Sequence, residues 1–428
     1  MALVRRCDNI LEVRRQIGQV QMASIPKLRN LELHLVSQSG RQGVLVQDPL
    51  RLANRSVFLP MSLAPLLELC DGTRDEGALR ASLAVRAGVQ IGPSTLEQVL
   101  AQLDEALLLD NDHFADAYAS ALRDFRTATM RAPTLAGRGY PADPDALKAT
   151  LDSYVAKPDQ TDEQAGAPDS EIRGLVSPHI DYDRGGPVYA GVWKEAASAI
   201  SEAELVIVFG TDHIGGARLT FTHQRYATPW GVIPTANGLV DQIGRALGPE
   251  AAFGTELHHR TEHSVELAVV WLHYMLGERE CQLVPVLCGG FEPFVQGGDD
   301  PAEDAELDSA LGILKDAASS QRTMVVAAGD LAHVGPAFGD GYAVDIFEKA
   351  RHRTADEQLI ASICEGEEEG VLQLVRDERD RRRICGLPAI YMALRLLGDT
   401  AGRVTGYAQC PADQRGDSFV SICGIVFD

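Results

Sequence analysis

The stretch Leu205-Val206-Ile207-Val208-Phe209-Gly210-Thr211-Asp212-His213 decides the fold. Its first five residues are apolar and mostly β-branched, with no polar residue between them. Such a run reads as a strand covered on both faces, which is the signature of a parallel sheet between helices. The glycine and polar residues that follow mark the strand's carboxyl end. Four more segments read the same way: Ile172 to Val176, Leu283 to Leu287, Met324 to Ala327 and Ser418 to Val426. Helical patterns alternate with them at Val188 to Ile200, Leu239 to Leu247, His263 to Leu276, Leu307 to Ala318, Ala355 to Cys364 and Pro388 to Leu397. The alternation predicts a three-layer α/β/α domain with a mostly parallel central sheet.

In such sheets ligands bind where strand ends open into a crevice. Here the polar residues concentrate at those ends. Ser177-Pro178-His179-Ile180-Asp181-Tyr182 follows the first strand, Gly210-Thr211-Asp212-His213 the second, and Gly329-Asp330-Leu331-Ala332-His333 the strand at Met324. Arg383-Ile384-Cys385-Gly386 precedes a late helix. Any one of these histidines alone is more simply a structural residue. Three at equivalent topological places point to a metal site, because neutral imidazole suits iron, zinc, copper and nickel. The anionic ligand is either Asp330 or the Cys385 thiolate, and a thiolate favours zinc, copper(I) or iron over magnesium and calcium. His263 falls in the first turn of its helix, where the dipole keeps imidazole neutral and fit for acid/base work. Glu262 and Glu266 beside it complement that dipole. Tyr182, Trp230 and Phe291 are candidates to line the pocket, since small-molecule sites are mostly apolar.

The chain has 428 residues, too many for one ordinary core. With 45% hydrophobic and 23% charged residues it has the composition of a globular protein. A formal net charge of -22 repels phosphate backbones and anionic lipids, so neither nucleic acid nor a membrane surface is an expected partner. No signal peptide is visible in the first twenty residues and no apolar run is long enough to cross a bilayer. The eight cysteines are scattered without a CxxC pair, which fits reduced thiols and a cytoplasmic protein. No phosphate-binding glycine loop is present.

The expected boundaries are an N-terminal helical arm over 1–30, a small helical domain over 31–125 and the α/β domain over 126–428. In the second of these, Pro60 to Cys70, Ala78 to Val85 and Ser94 to Leu108 have helical spacing, and Leu107 to Phe114 reads as a short strand and a polar turn. Helices followed by a strand and turn predict a winged-helix module. Asp48-Pro49, Leu67-Glu68-Leu69-Cys70-Asp71-Gly72 and the run Leu103 to Leu109 resemble the PqqD-like domains, which bind peptide substrates for modifying enzymes. The acidic balance argues against a DNA-reading winged helix. Arg126 to Gly139 reads as a connector, and Pro158 to Ser170 as a loop.

From about Arg131 onward the chain resembles the Memo family, called AmmeMemoRadiSam system protein B in bacteria, which is similar to the class III extradiol dioxygenases. The residues that carry this are Ala136-Gly137-Arg138-Gly139-Tyr140-Pro141, Ser177 to Tyr182, Gly210 to His213, Thr228-Pro229-Trp230-Gly231, Glu262-His263-Ser264-Val265-Glu266, Gly329 to His333 and Ile384-Cys385-Gly386. The resemblance implies one transition metal ion, iron or copper before zinc, held by His179, His213 and Cys385. It places Asp330 and His333 beside that ion. His263 and His333 would then move protons, and Asp330 would orient a histidine or join the metal. Radical SAM and AMMECR-type proteins are partners implied by the same resemblance. Three departures stand out: the dioxygenases have a carboxylate where Cys385 stands, Gly329 occupies a position where the family usually has serine or a similar residue, and Cys385-Gly386 continues with Leu387-Pro388 rather than a basic pair. The reading that results is a metal-dependent redox enzyme or oxygenase acting on a small molecule or peptide. Its rivals are a non-catalytic peptide-binding adaptor with a structural or stored metal, and a zinc-dependent hydrolase.

Overall fold

The computed structural model describes residues 25–38, 40–156 and 172–428. They fall into two compact units that divide between Arg123 and Asp124. The first unit opens with an antiparallel sheet of β1 (Glu32–Gln38), β2 (Arg41–Gln47) and β3 (Val57–Pro60), in that order. Helices Pro65–Leu69, Glu76–Ala87 and Pro93–Glu105 follow and pack Leu66, Leu79, Leu83, Leu96 and Leu103 against Val46 and Leu59 of the sheet. The sequence reading had the strand after the helices; the structure puts three strands before them. At Leu107 to Phe114 no strand forms beyond a single bridge between Leu109 and Leu28, and a helix runs over Asp112–Thr127 instead. Its start is set by Asn111, whose Oδ1 accepts from the Phe114 amide at 3.0 Å, the ordinary service of asparagine at a helix start. The expected N-terminal arm lies outside the described residues up to 24, and its remaining part is extended, with Lys27 bridged to Asp71. The expected Pro158 to Ser170 loop also lies outside the described residues.

The second unit is built on an eight-stranded sheet. Its strands are β4 (Gly174–Ser177), β5 (Leu205–Thr211), β6 (Leu219–Phe221), β9 (Gln282–Cys288), β10 (Thr323–Ala328), β11 (His333–Val334), β12 (Gly402–Pro411) and β13 (Phe419–Phe427); β7 (Tyr226–Thr228) and β8 (Gly231–Ile233) pair separately. The order is β11-β13-β4-β10-β5-β9-β6, with β12 on β13. The central four, β4, β10, β5 and β9, are mutually parallel, and every pairing outside them is antiparallel. Side chains alternate between two cores. Leu205, Ile207 and Phe209 enter one with Val240, Leu311, Leu372 and Ile390 from helices, while Val206 and Val208 enter the other with Val192, Trp193, Val269 and Trp271. That alternation makes the three layers and confirms the α/β class. Each fully buried branched side chain of this kind contributes about 1.5–3 kcal/mol.

The run read as a connector is fastened to the core. Arg131 is fully buried, pairs with the Glu266 carboxylate and donates to the carbonyls of His259 at 2.9 Å and Glu262 at 2.7 Å. Glu266 also accepts from the Tyr140 hydroxyl at 2.6 Å and the Leu135 amide at 2.8 Å. In the first turn of its helix, it is thus a structural anchor as well as a complement to the helix dipole.

Candidate metal centre

The parallel register fixes where the site can be. Ala328 of β10 lies level with Ser177 of β4 and with Gly210 of β5, so three neighbouring strands end together. The loops that leave them carry Asp330, His179 and His213. Cys385 reaches the same point from the loop before helix Leu387–Leu397, through a Gly386 amide that donates to the Asp330 carbonyl at 2.9 Å. Two glycines permit this approach. A Cβ on Gly329 would stand 2.4 Å from the Gly386 Cα, and one on Gly386 would stand 2.6 Å from the Asp330 oxygen. Gly329 and Gly386 together thus let this loop lie on this strand end.

His179, His213 and Cys385 each offer a ligand atom, and these atoms lie within 4.8 Å of one another. The Cys385 Sγ is 3.2 Å from the His179 Nε2. His179 Nδ1 sits 3.1 Å from the Ala328 carbonyl, which can only accept, so Nδ1 carries the proton and Nε2 keeps its lone pair. His213 Nδ1 is 3.0 Å and 3.1 Å from the two Glu262 oxygens, and His263 Nδ1 is 3.2 Å from Glu262 Oε1. One carboxylate therefore turns two imidazoles the same way, and their rings stack at 4.7 Å with 15° between planes. His213, Glu262 and His263 also form a potential metal-binding group by distance. The Glu262 oxygens, however, already accept from the amides of His213 at 3.0 Å, His263 at 2.7 Å and Ser264 at 2.9 Å. That is the office of a buried carboxylate that orients ligands.

Protonation follows from these contacts. Burial pushes the Glu262 carboxyl up, but His213 and His263 outweigh it and hold it well below the usual carboxylate range. Burial lowers the His213 pKa, yet Glu262 and Cys385 reverse this and raise it well above the ordinary value. Burial raises the Cys385 thiol, and the His179 and His213 imidazoles bring it below its ordinary value. His179 is shifted down by burial and stays neutral. The shifts favour a thiolate at Cys385 and a neutral ring at His179, the forms in which these side chains bind metals, whereas His213 holds a proton that a metal must displace.

Asp330 is buried, and burial raises its pKa. Its Oδ1 accepts from the amides of His179 at 2.8 Å and Ile180 at 3.3 Å, so it clasps the backbone that presents His179. His333 turns Nδ1 toward the carbonyls of Leu331 at 3.2 Å and Arg383 at 3.1 Å, and burial lowers its pKa. His263 is 38% exposed and marks the open side of the cluster.

The three expected pocket residues have packing roles of their own. Tyr182 is buried, donates to the Leu267 carbonyl at 2.8 Å and touches Tyr140, Tyr189 and Trp271. Phe291 packs against Phe294 and Tyr391. Trp230 lies against His273 and Tyr274 and donates to the Pro144 carbonyl at 3.1 Å. The group that sequence reasoning undervalued is Glu262. Its signal was faint: a glutamate directly before a histidine at a helix start, whose true partner arrives from β5.

A model of the Memo-like protein family matches residues 131–426. A MEMO1 family protein of Aquifex aeolicus is 27% identical over 420 residues, 94% of this chain and 99% of the relative. One from Methanopyrus kandleri is 28% identical over 307 residues, 69% of this chain and 98% of its own length. One from Methanosarcina acetivorans is 26% identical over 294 residues, 67% of this chain and 94% of the relative. The Aquifex protein therefore spans both units, whereas these archaeal proteins match about two-thirds of the chain. With its family model covering the α/β unit and the strand-end residues gathered there, this chain belongs to the Memo-like proteins.

Proposed function

We propose that this protein holds one transition-metal ion, iron or copper before zinc, between His179 Nε2, His213 Nε2 and Cys385 Sγ, and is a redox enzyme acting on a small molecule or peptide. The observation that carries the reading is the convergence of those donors within 4.8 Å, with both imidazoles turned by acceptors on Nδ1. Two imidazoles and a thiolate form a donor set for iron, copper(I) or zinc, and when bound the first two would supply one-electron redox chemistry. The chain's own groups supply the rest. His263 stacks on His213 at the exposed side, where its Nε2 can exchange a proton with a bound molecule. His333 has its Nδ1 committed to two carbonyls, which leaves Nε2 for the same task. Asp330 fixes the His179 backbone.

The first unit is read as a PqqD-like module that presents a peptide, without the strand after the helices on which the winged-helix reading stood. Support comes from edge strand β1, whose Leu33 and Leu35 are exposed, and from the Aquifex relative that spans both units. Among the described residues no helix is long and apolar enough to cross a membrane.

Anaerobic purification, metal loading and elemental analysis test the proposal. The expected result is one iron or copper per chain, lost in His179→Ala with His213→Ala, and oxygen uptake with substrate by the loaded protein. A chain that takes up no metal contradicts it. The same donors suit a catalytic zinc; zinc content with amide or ester turnover would move the assignment to a hydrolase. Retained peptide binding by the double variant would favour the adaptor.

A further inference from the structure

The Cys385 loop is conformationally unusual. Among the described residues five non-glycine residues have positive φ, and three of them lie in the segment directly before Cys385: Arg379 at 53°, Asp380 at 47° and Arg383 at 53°. Side chains disfavour this left-handed region, so such a run persists only where surrounding contacts over-determine it. Here contacts hold Asp380, Arg382 and Arg383. The Asp380 Oδ1 accepts from the Ile384 amide at 2.8 Å. Arg382 is buried, pairs with the fully buried Asp356 and donates to both Glu378 oxygens at 3.0 Å and 2.8 Å. Asp356 is held in turn by the Tyr407 hydroxyl at 2.8 Å. Arg383 donates to Asp340 at 2.8 Å and to the His333 carbonyl at 3.1 Å. The His333 amide donates to the Arg382 carbonyl at 2.7 Å.

We infer that Arg382 and Arg383 are positioning residues for Cys385, acting through Asp356 and through Asp340 with His333 to hold its loop in the left-handed form that aims the sulfur at His179. The inference rests on the reading of Cys385 as a ligand. None of these arginine contacts belongs to the cluster of donors itself. If either fastening is cut, the loop relaxes toward negative φ, and Cys385, one to two residues along the chain from Arg383 and Ile384, turns with it. His333 then has a second office, since its amide, carbonyl and ring all engage residues 382 and 383.

Two variants separate positioning from folding. Arg383→Gln removes a half-exposed side chain, and Arg382→Met paired with Asp356→Leu removes both buried charges together, which avoids leaving one unpaired. Each full-length protein, with Cys385→Ser as the ligand control, is titrated with cobalt(II), following the thiolate-to-cobalt charge-transfer absorption. Metal-free samples are treated with iodoacetamide, and alkylation of Cys385 is read by mass spectrometry. The expected result is a cooperative melt, cobalt affinity weakened at least about tenfold, a diminished charge-transfer band and a several-fold change in Cys385 alkylation. Unchanged affinity, band and alkylation in both variants overturn the inference. If the parent protein takes up no cobalt, the ligand reading fails by itself, and alkylation alone decides the positioning role: a changed rate supports it and an unchanged rate refutes it.

Discussion

Two buried carboxylates serve the candidate centre, and they differ. Glu262 accepts from two imidazoles and three backbone amides, and its carboxyl is held well below the usual range because the imidazoles outweigh burial. Asp330 accepts from two amides, and burial raises its carboxyl. The first is a counter-ion to the rings, the second a clasp on the backbone. Replacing them should therefore have unequal consequences.

The largest effect is expected from Glu262→Ala. It leaves three amide donors and the His213 imidazole without their acceptor, so urea unfolding should show a loss of about 3–5 kcal/mol. Metal affinity should fall about ten- to a hundredfold. A loss under about 1 kcal/mol would show that Glu262 does not organise the site.

Next comes pH. A metal ion must displace a proton from His213, whose pKa is raised by Glu262 and Cys385 against the effect of burial, so affinity should climb with pH up to that pKa. The expected slope is about tenfold per unit for each proton displaced, and a flat profile from calorimetric titrations would argue against His213 as a ligand. In the metal-free protein the sign reverses. A raised imidazole pKa stabilises the fold below the unfolded value of about 6.5, and that contribution is lost as pH rises through the folded pKa. Glu262 behaves in the other sense, contributing above its unfolded pKa and losing its contribution as pH falls through the depressed one.

Asp330→Asn should cost only about 1 kcal/mol, because the amide oxygen can still accept from His179 and Ile180. Since the folded pKa of Asp330 is raised, its contribution is greatest below the unfolded value and is lost as pH rises through the folded one. The variant should thus gain on the parent as pH climbs from acid, and unfolding at several pH values checks this. Trp230→Phe gives the smallest effect, about 0.5–1 kcal/mol from its bond to the Pro144 carbonyl. Unchanged metal binding is expected there, and a weakened site would return Trp230 to the pocket.

Much of this arrangement is legible in the sequence. The strands around Leu205 and Met324 are buried on both faces, so an unbroken apolar run declares them. Parallel β10 lies between β4 and β5, so the ends of the three strands are adjacent and His179 and His213 fall into one group. Other elements lacked such a signal. β6, β7 and β8 have three residues each, too few to show a period. β12 lies mostly half-buried at Thr405 to Gln409 and mixes polar with apolar residues. In β1, Leu33 and Leu35 face outward, so apolar content there did not mark a core. The role of Glu262 could not be read locally, since its partner His213 lies 49 residues away. The same holds for Gly329 and Gly386, whose meaning appears only where the two backbones meet.

The most direct test is X-ray absorption on the metal-loaded protein. The account predicts one sulfur near about 2.3 Å and at least two imidazole nitrogens near about 2.0 Å, with the sulfur absent in Cys385→Ser. A shell of nitrogen and oxygen alone in the parent protein would contradict it.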